Sequence, residues 1–333
     1  MSVRDHILLN NSLKFPVIGL GTWQAEPSEI KTAIDTALEV GYRHIDTAFS
    51  YMNEEAIGDT LQEWFNSKKL KRGDLFITTK LPMPAVRPED VEPYLRESLK
   101  RLKLKYVDLY LIHCPIGLKP VDDNVNNTFP TLPDGTVSLD PVTDLPATWK
   151  AMEAQVDNGL AKSIGVSNFN CVQIEKIVRH ARILPVTDQV ELHVEFMQKP
   201  LRALCKLHNI VVTAYAPIGS PGRTKFYAAR GQKAPPIPCL IHNPLVGEVA
   251  KKHNKSNAQV LLRHLLQHGL VVIPKSCNPK RIKENFQLMD FQLDSEDMKK
   301  LDSLDKGAKG RTFDFLLFKG IDQHPEYPFV DEY

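Results

Sequence analysis

The sequence predicts a single (β/α)8 barrel. Three observations carry that expectation. Short β-branched apolar runs alternate with amphipathic stretches of period near 3.6, eight such units can be counted, and a polar residue follows seven successive runs. At ~150 residues per domain, 333 residues would divide in two, but one barrel with insertions fits the same length.

The elements follow in order. Residues 7–13 are expected to form a small hairpin plugging the N-terminal end of the barrel. The eight runs are 17–20, 43–46, 75–79, 107–112, 163–166, 187–190, 211–214 and 271–273. Ile30, Ile34 and Leu38 repeat along the first helix, with Ser28 as its start and Gly41 as its stop; Ile174, Ile177 and Val178 do the same in the fifth. Parallel strands covered by helices are buried on both faces, which accounts for the nearly continuous apolar run 107–112. Three stretches break the rhythm. Residues 114–145 carry Asn-rich and Pro-Asp-Gly turn signals, 219–243 are rich in Pro and Gly, and 306–333 lack periodicity but hold Phe313, Phe315, Phe318, Tyr327 and Phe329. They read as substrate-side insertions and a tail of one domain, 1–333, with the aromatic tail packed over the barrel.

Composition narrows the function. The 42 Lys and Arg against 40 Asp and Glu leave a charge of +2, without the basic excess of a nucleic-acid-binding domain. No apolar run reaches the ~18 residues that span a bilayer, and the N-terminus has no signal-like apolar core. The five cysteines (Cys114, Cys171, Cys205, Cys239 and Cys277) are dispersed, odd in number and without a CxxC pair. They give neither a disulfide scaffold nor a Cys-based zinc site and fit a reducing compartment. A cytoplasmic enzyme with no nucleic-acid or membrane partner is expected.

Active sites of such barrels lie at the C-terminal ends of the strands. There stand Asp46 with Tyr51 after the second run, Lys80 after the third and His113 after the fourth. Ser167 and Asn168 follow the fifth, Gln189 to Glu191 close the sixth, Tyr215 follows the seventh, and Lys275 with Ser276 the eighth. A tyrosine has a pKa of about 10, which a neighbouring ammonium lowers. A carboxylate paired with that ammonium keeps it charged and oriented. Tyr51, Lys80 and Asp46 supply this trio, and His113 adds a donor for a substrate oxygen. Such a group suits protonation of a carbonyl oxygen as hydride reaches the carbon, with the hydride coming from a cofactor. Asp46 alone reads equally well as a loop cap, and Lys80 alone as a solvated charge; all four at one barrel end do not. His44, His193 and His208 lack metal-ligand spacing and read as structural, so no metal site is expected. Trp23 reads as a pocket wall.

Ile273-Pro274-Lys275-Ser276, followed by Arg281 and Asn285 on a helix beginning near Asn278, suits a phosphate monoester. The reading is the 2′-phosphate of NADP. Gly19-Leu20-Gly21 offers a GxG, but Gln24 stands where the dinucleotide fingerprint needs glycine, so a two-domain Rossmann enzyme is not favoured.

Taken together, Gly19-Leu20-Gly21-Thr22-Trp23, Gly41-Tyr42-Arg43-His44-Ile45-Asp46-Thr47-Ala48, Asp108-Leu109-Tyr110-Leu111-Ile112-His113, Gly165-Val166-Ser167-Asn168-Phe169 and Ile273-Pro274-Lys275-Ser276 resemble the aldo-keto reductases over nearly the whole chain. The resemblance implies a monomeric barrel that uses NADPH to reduce aldehydes and ketones. Tyr51 becomes the general acid, supported by Asp46 and Lys80, with His113 orienting the carbonyl. Ser167, Asn168 and Gln189 fall on the nicotinamide carboxamide and Tyr215 under its ring. Ile218 and Ser220 fall on the pyrophosphate side, and Lys275, Ser276, Arg281, Glu284 and Asn285 at the adenosine phosphate. Gly21, Thr22, Trp23, Asp46, Ala216, Pro217, Cys277 and Asn278 complete the cofactor contacts, while Trp23, Tyr51, His113 and Cys114 line the substrate pocket. Cys114 stands where aldehyde-reducing members often have Trp, and Pro82 where an aromatic is common, so the pocket is reshaped. Ala216 replaces a common Ser, and Cys277-Asn278 a common Val-Thr. The ending His324-Pro325-Glu326-Tyr327 resembles arthropod members of the family. Two rival readings are an NADPH-binding redox sensor or structural protein on the same barrel, and a Schiff-base lyase acting through Lys80.

Overall fold

The computed structural model describes residues 5–234 and 239–329. Two antiparallel strands, β1 (His6–Leu8) and β2 (Lys14–Pro16), form the opening hairpin. Leu9 and Phe15 pack with Phe76, Leu109, Val186 and Val271, residues at the starts of barrel strands, so the hairpin plugs that end as expected.

Eight parallel strands follow. β3 (Leu20–Gly21), β4 (His44–Asp46), β5 (Phe76–Leu81) and β6 (Leu109–Ile112) make the first half, and β7 (Ile164–Ser167), β8 (Thr187–Glu191), β9 (Val211–Tyr215) and β10 (Val271–Val272) the second. Each pairs with its sequence neighbour. Parallel bridges from Ile18 to Val272 and from Gly21 to Lys275 bring the last strand back to the first and close the barrel. The first strand therefore lies later than the apolar run 17–20, whose earlier residues serve the closure. The third strand runs on past residue 79 and carries Lys80 within it. A Cβ at Gly21 would stand 2.6 Å from the Ile273 carbonyl oxygen, so only glycine permits this seam.

The helices cover the outer face. They are α1 (Pro27–Val40), α2 (Glu54–Asn66), α3 (Pro88–Leu102), α4 (Leu145–Asp157), α5 (Cys171–His180) and α6 (Lys199–Leu207). After them come α7 (Arg223–Ala228), α8 (Pro244–His253), α9 (Asn257–Gln267), α10 (Pro279–Phe286) and α11 (Ser295–Asp302). In α1 the buried positions Ile30, Ile34 and Leu38 recur at helical spacing, and Gly41 ends the helix at φ 118°. The helix begins with a capping box at Glu26 and Glu29, slightly ahead of the expected Ser28. Short helix α7 forms inside the stretch 219–243, where the sequence shows no periodicity; residues 235–238 of that stretch lie outside the described residues.

Strand residues alternate in and out. The inward set on β5 is Phe76, Thr78 and Lys80, while Ile77 and Leu81 join the large core beneath the helices. The barrel interior is apolar at the hairpin end. It becomes polar through a middle layer in which Thr78 pairs with His44 and Thr187 with Thr213. At the other end it is charged.

The aromatic tail packs as expected. Ile321 and Tyr327 share a small apolar core with Met83, Ile116, Leu118 and Val137, and Phe318 stacks on Phe129 with ring centroids 4.2 Å apart. Residues 330–333 of the tail lie outside the described residues. Among the described residues, no helix is long and apolar enough to cross a membrane.

Candidate active site

Asp46 ends β4, Lys80 lies near the end of β5, and Tyr51 sits in a 3-10 turn (Phe49–Tyr51) between β4 and α2. Lys80 is fully buried. Its Nζ donates to Asp46 Oδ1 at 2.6 Å, to the Thr47 carbonyl oxygen at 3.0 Å and to the Tyr51 hydroxyl at 3.3 Å. The His113 ring follows β6 and meets the Tyr51 ring edge to face, 5.6 Å between centroids. The four predicted groups are thus brought together.

Their electrostatics correct one expectation. Burial raises the Tyr51 pKa, and this outweighs the pull of the Lys80 charge, so the phenol stays above rather than below its ordinary value. Burial opposes charge on Lys80, but Asp46 overrides it and holds the ammonium above its usual pKa. Burial and the Lys80 charge together push His113 well below the usual imidazole value. At neutral pH the site holds a phenol, an ammonium and a neutral imidazole.

A second ring of polar groups joins this one. Gln189 Nε2 donates to Asp46 Oδ2 at 2.8 Å, and Ser167 Oγ donates to the Gln189 carbonyl oxygen at 2.7 Å. Tyr215 donates its hydroxyl proton to Asn168 Oδ1 at 2.8 Å, and Asn168 Nδ2 donates to the His113 carbonyl oxygen at 2.9 Å. Thr22 Oγ1 donates to the Asp46 carbonyl oxygen at 2.9 Å. Gln24, Met52, Asn168, Ala216 and Ser220 all adopt positive φ at this end of the barrel. Such backbone strain concentrates where a fold shapes a site. Pro217 is buried beside Ala216, and Ile218 packs on the core.

The predicted phosphate end lies across the barrel seam. Asn278 caps α10 by accepting the Arg281 N–H at 3.1 Å, and Ser276 Oγ accepts the Asn278 N–H at 3.1 Å. Lys275 and Arg281 are exposed, and Lys275 Nζ reaches the Gln24 carbonyl oxygen at 3.1 Å. Glu284 faces Lys280, and Asn285 is buried. Cys277 is half-buried, its thiol pKa raised by burial.

Cys114 is buried with Met83, Ile116 and Tyr327 beneath the tail, and burial pushes its thiol up to about 12, which makes it unreactive as a nucleophile. His193 pairs with Glu191, His208 with Glu175, and His44 packs against Phe15 and Phe76.

Two further residues join the site, Phe313, which the sequence marks only as one of the tail aromatics, and Arg223, which it does not mark. Phe313 from the tail stands 5.7 Å from Trp23 and 5.5 Å from Tyr215, so the tail forms a wall of the site. Arg223, at the start of α7, is buried with Nε and Nη1 unpartnered among the described residues, its guanidinium 5.0 Å from the Phe313 ring. A buried cation with unmet donors fits an anionic ligand such as a dinucleotide pyrophosphate. Its place in a Pro- and Gly-rich loop gave no periodic pattern that could have drawn attention to it.

Residues 17–306 match the family model described as the aldo/keto reductase family. Over 335 residues, 99% of this chain and 98% of the relative, the sequence is 45% identical to aldo-keto reductase family 1 member A1 of Gallus gallus. It is 44% identical to dihydrodiol dehydrogenase 3 of Bos taurus over 334 residues, again 99% and 98% of the two chains. A solved structure of the aldose reductase from Schistosoma japonicum superposes with a TM-score of 0.87 at 44% identity, covering 99% of this chain and all of that one.

Proposed function

Because this chain belongs to the aldo/keto reductase family, we propose that it reduces small aldehydes or ketones to alcohols with NADPH, Tyr51 delivering the proton. One observation carries the assignment of roles: the Tyr51 hydroxyl lies 3.3 Å from a buried ammonium that is itself paired with Asp46 at 2.6 Å. When bound, the dihydronicotinamide supplies hydride, which no side chain can provide.

The chain's own residues do the rest. Tyr51 remains protonated at neutral pH and donates to the carbonyl oxygen. The phenolate left behind is stabilised by Lys80, whose charge Asp46 maintains. Neutral His113 offers an N–H to the same oxygen and orients it. Trp23, Tyr215 and Phe313 exclude water from the pocket. Ser167, Asn168 and Gln189 suit the carboxamide of the nicotinamide, and Arg223 suits the pyrophosphate. Lys275 and Arg281 beside the N-terminus of α10 suit a 2′-phosphate, which favours NADPH over NADH. Held as an ammonium, Lys80 is not the free amine that a Schiff-base lyase needs.

The names of the similar proteins, a dihydrodiol dehydrogenase and an aldose reductase among them, support small carbonyl or alcohol compounds as substrates. One chain supplies the entire tetrad on one barrel, which supports a single-domain enzyme acting as a monomer. The balanced charge and dispersed cysteines support a cytoplasmic setting. The test is a screen of aliphatic and aromatic aldehydes, sugars and steroidal ketones, following NADPH oxidation. Tyr51→Phe is expected to lower turnover by roughly 10²–10⁴-fold with cofactor affinity unchanged. Full turnover in that variant would remove Tyr51 from the role.

A further inference from the structure

We propose that His264, His268 and Asp302 form a divalent-metal site of the zinc class, tying α9 to α11 and separate from the reductase centre. His264 lies in the last turn of α9 and His268, four residues on, caps its C-terminal end, a spacing that lets both imidazoles reach one ion. Asp302 ends α11 and meets them across the helix interface. Nε2 of His264 and Nε2 of His268 lie 2.7 and 2.8 Å from the same carboxylate oxygen, Asp302 Oδ1, and 3.2 Å from each other. Ligands about 2.1 Å from a tetrahedral ion stand roughly 3.4 Å apart, so small side-chain rotations open this triangle to size.

Hydrogen bonding alone serves the cluster poorly. A neutral imidazole carries one N–H. His264 is fully buried, and its Nδ1 has no partner among the described residues. That atom is unmet in either tautomer, so the convergent atoms decide: if both Nε2 atoms carry protons toward Asp302 Oδ1, two N–H groups crowd each other at 3.2 Å, and if one does not, its lone pair opposes the carboxylate. A cation accepts all three convergent lone pairs at once. The side chains of His268 and Asp302 are 23% and 36% exposed, which leaves an entry path and room for a water ligand. Two imidazoles and one carboxylate suit zinc or cobalt better than magnesium or calcium.

Full-length protein stripped with a chelator is titrated with Zn²⁺ by calorimetry and with Co²⁺ by visible absorption. One equivalent of zinc with sub-micromolar affinity is expected, with the intense bands of low-coordinate cobalt. His268→Gln and Asp302→Asn should weaken zinc binding by more than about 10-fold and remove those bands, leaving carbonyl reduction unchanged. Zinc should raise the melting temperature of the wild type and not of either variant. Wild-type protein without the cobalt bands overturns the site whatever the variants do. So does zinc affinity unchanged in variants that keep native circular dichroism.

Discussion

Gln189 donates to one oxygen of Asp46 at 2.8 Å, while Lys80 takes the other at 2.6 Å. The two partners come from β8 and β5, and 143 positions separate Gln189 from Asp46 in the chain. A buried carboxylate gripped from both sides cannot swing, so Lys80 has one counterion in one place. The Tyr51 hydroxyl inherits that fixity through its 3.3 Å hydrogen bond with the ammonium.

Removing the charge of Asp46 tests this chain of support. In Asp46→Asn, burial would no longer be overridden at Lys80, and its pKa should fall below the ordinary lysine value of about 10.4. Turnover should then decline as pH rises through that lowered pKa, while the low-pH side keeps the ammonium. The alkaline limb of kcat/KM against pH is expected to move to lower pH than in the wild type. Breaking a buried pair should also cost about 3–5 kcal/mol of stability, read by urea unfolding. An alkaline limb that does not move would detach Asp46 from the acid.

The proposed preference for NADPH draws on two exposed charges and is tested separately. Replacing Lys275 and Arg281 each by Met should weaken NADPH binding by roughly 10–100-fold for each charge-assisted hydrogen bond to the phosphate that disappears, with NADH binding unchanged. Fluorescence titration with both nucleotides reads the difference. An equal weakening for the two would mean that the residues hold the fold and not the 2′-phosphate.

The barrel was legible because buried parallel strands and amphipathic helices write their periods into the chain. The tetrad was legible because Asp46 closes an apolar run, Lys80 and His113 follow the next two directly, and Tyr51 stands five residues past Asp46 in the same connection. The sign of the Tyr51 shift was not, since burial is a property of the folded site and here exceeds the effect of one neighbouring cation. Arg223 and the position of Phe313 within the aromatic tail were not, because both lie in segments without periodicity, whose placement depends on packing with distant residues. His264 and His268 stand one turn apart at the end of α9, but the carboxylate they meet comes from 38 and 34 positions away. No local spacing announces it.

Acid should loosen the barrel interior. Burial lowers the His44 pKa to about 4, with Asp46 pulling upward and Lys80 downward. The unfolded chain titrates near 6.5, so between these values it binds more protons than the native state. The stabilisation is therefore complete above about pH 6.5 and is lost as pH falls toward 4, an effect worth about 3 kcal/mol at full extent. His113 acts in the same direction. Urea midpoints near pH 7 and about pH 4.5 should converge in His44→Leu relative to the wild type. A variant with an undiminished acid limb would acquit His44.

Asp188 offers a gain in stability. It lies on β8, buried, with neither carboxyl oxygen hydrogen-bonded among the described residues. Burial raises its pKa well above the usual value, and the nearby Phe169 N–H, short of hydrogen-bonding geometry, opposes this only weakly. An unmet buried polar group costs about 1–3 kcal/mol, so Asp188→Leu should raise stability by that order and increase Tm. A fall in Tm would reveal a partner for the carboxyl.

Glu191 governs the tail. Its buried carboxylate accepts the Thr312 N–H at 3.0 and 2.9 Å, the Phe313 N–H at 2.9 Å and the Thr312 hydroxyl, and pairs with His193 at 3.2 Å. Burial pushes the Glu191 pKa upward, but the bonds from His193, Thr312 and Phe313 outweigh it and hold the group below its ordinary value. The same bonds set Phe313 between Trp23 and Tyr215 at the pocket wall. In Glu191→Ala two backbone N–H groups lose a charged acceptor, each worth about 1.5–3 kcal/mol, and the segment is left with the Arg311 guanidinium over Phe196 and the Tyr327 hydroxyl on the Asp314 carbonyl oxygen. Amides 312 and 313 should lose protection from hydrogen exchange. KM for a bulky aromatic aldehyde should rise about 10-fold with kcat less affected, since Phe313 contributes binding surface and no proton. Glu191→Gln keeps one acceptor oxygen and should fall between the two. Protection that survives in the alanine variant, with KM unmoved, would assign the tail's position to the Phe318 and Tyr327 cluster and leave Glu191 without this function.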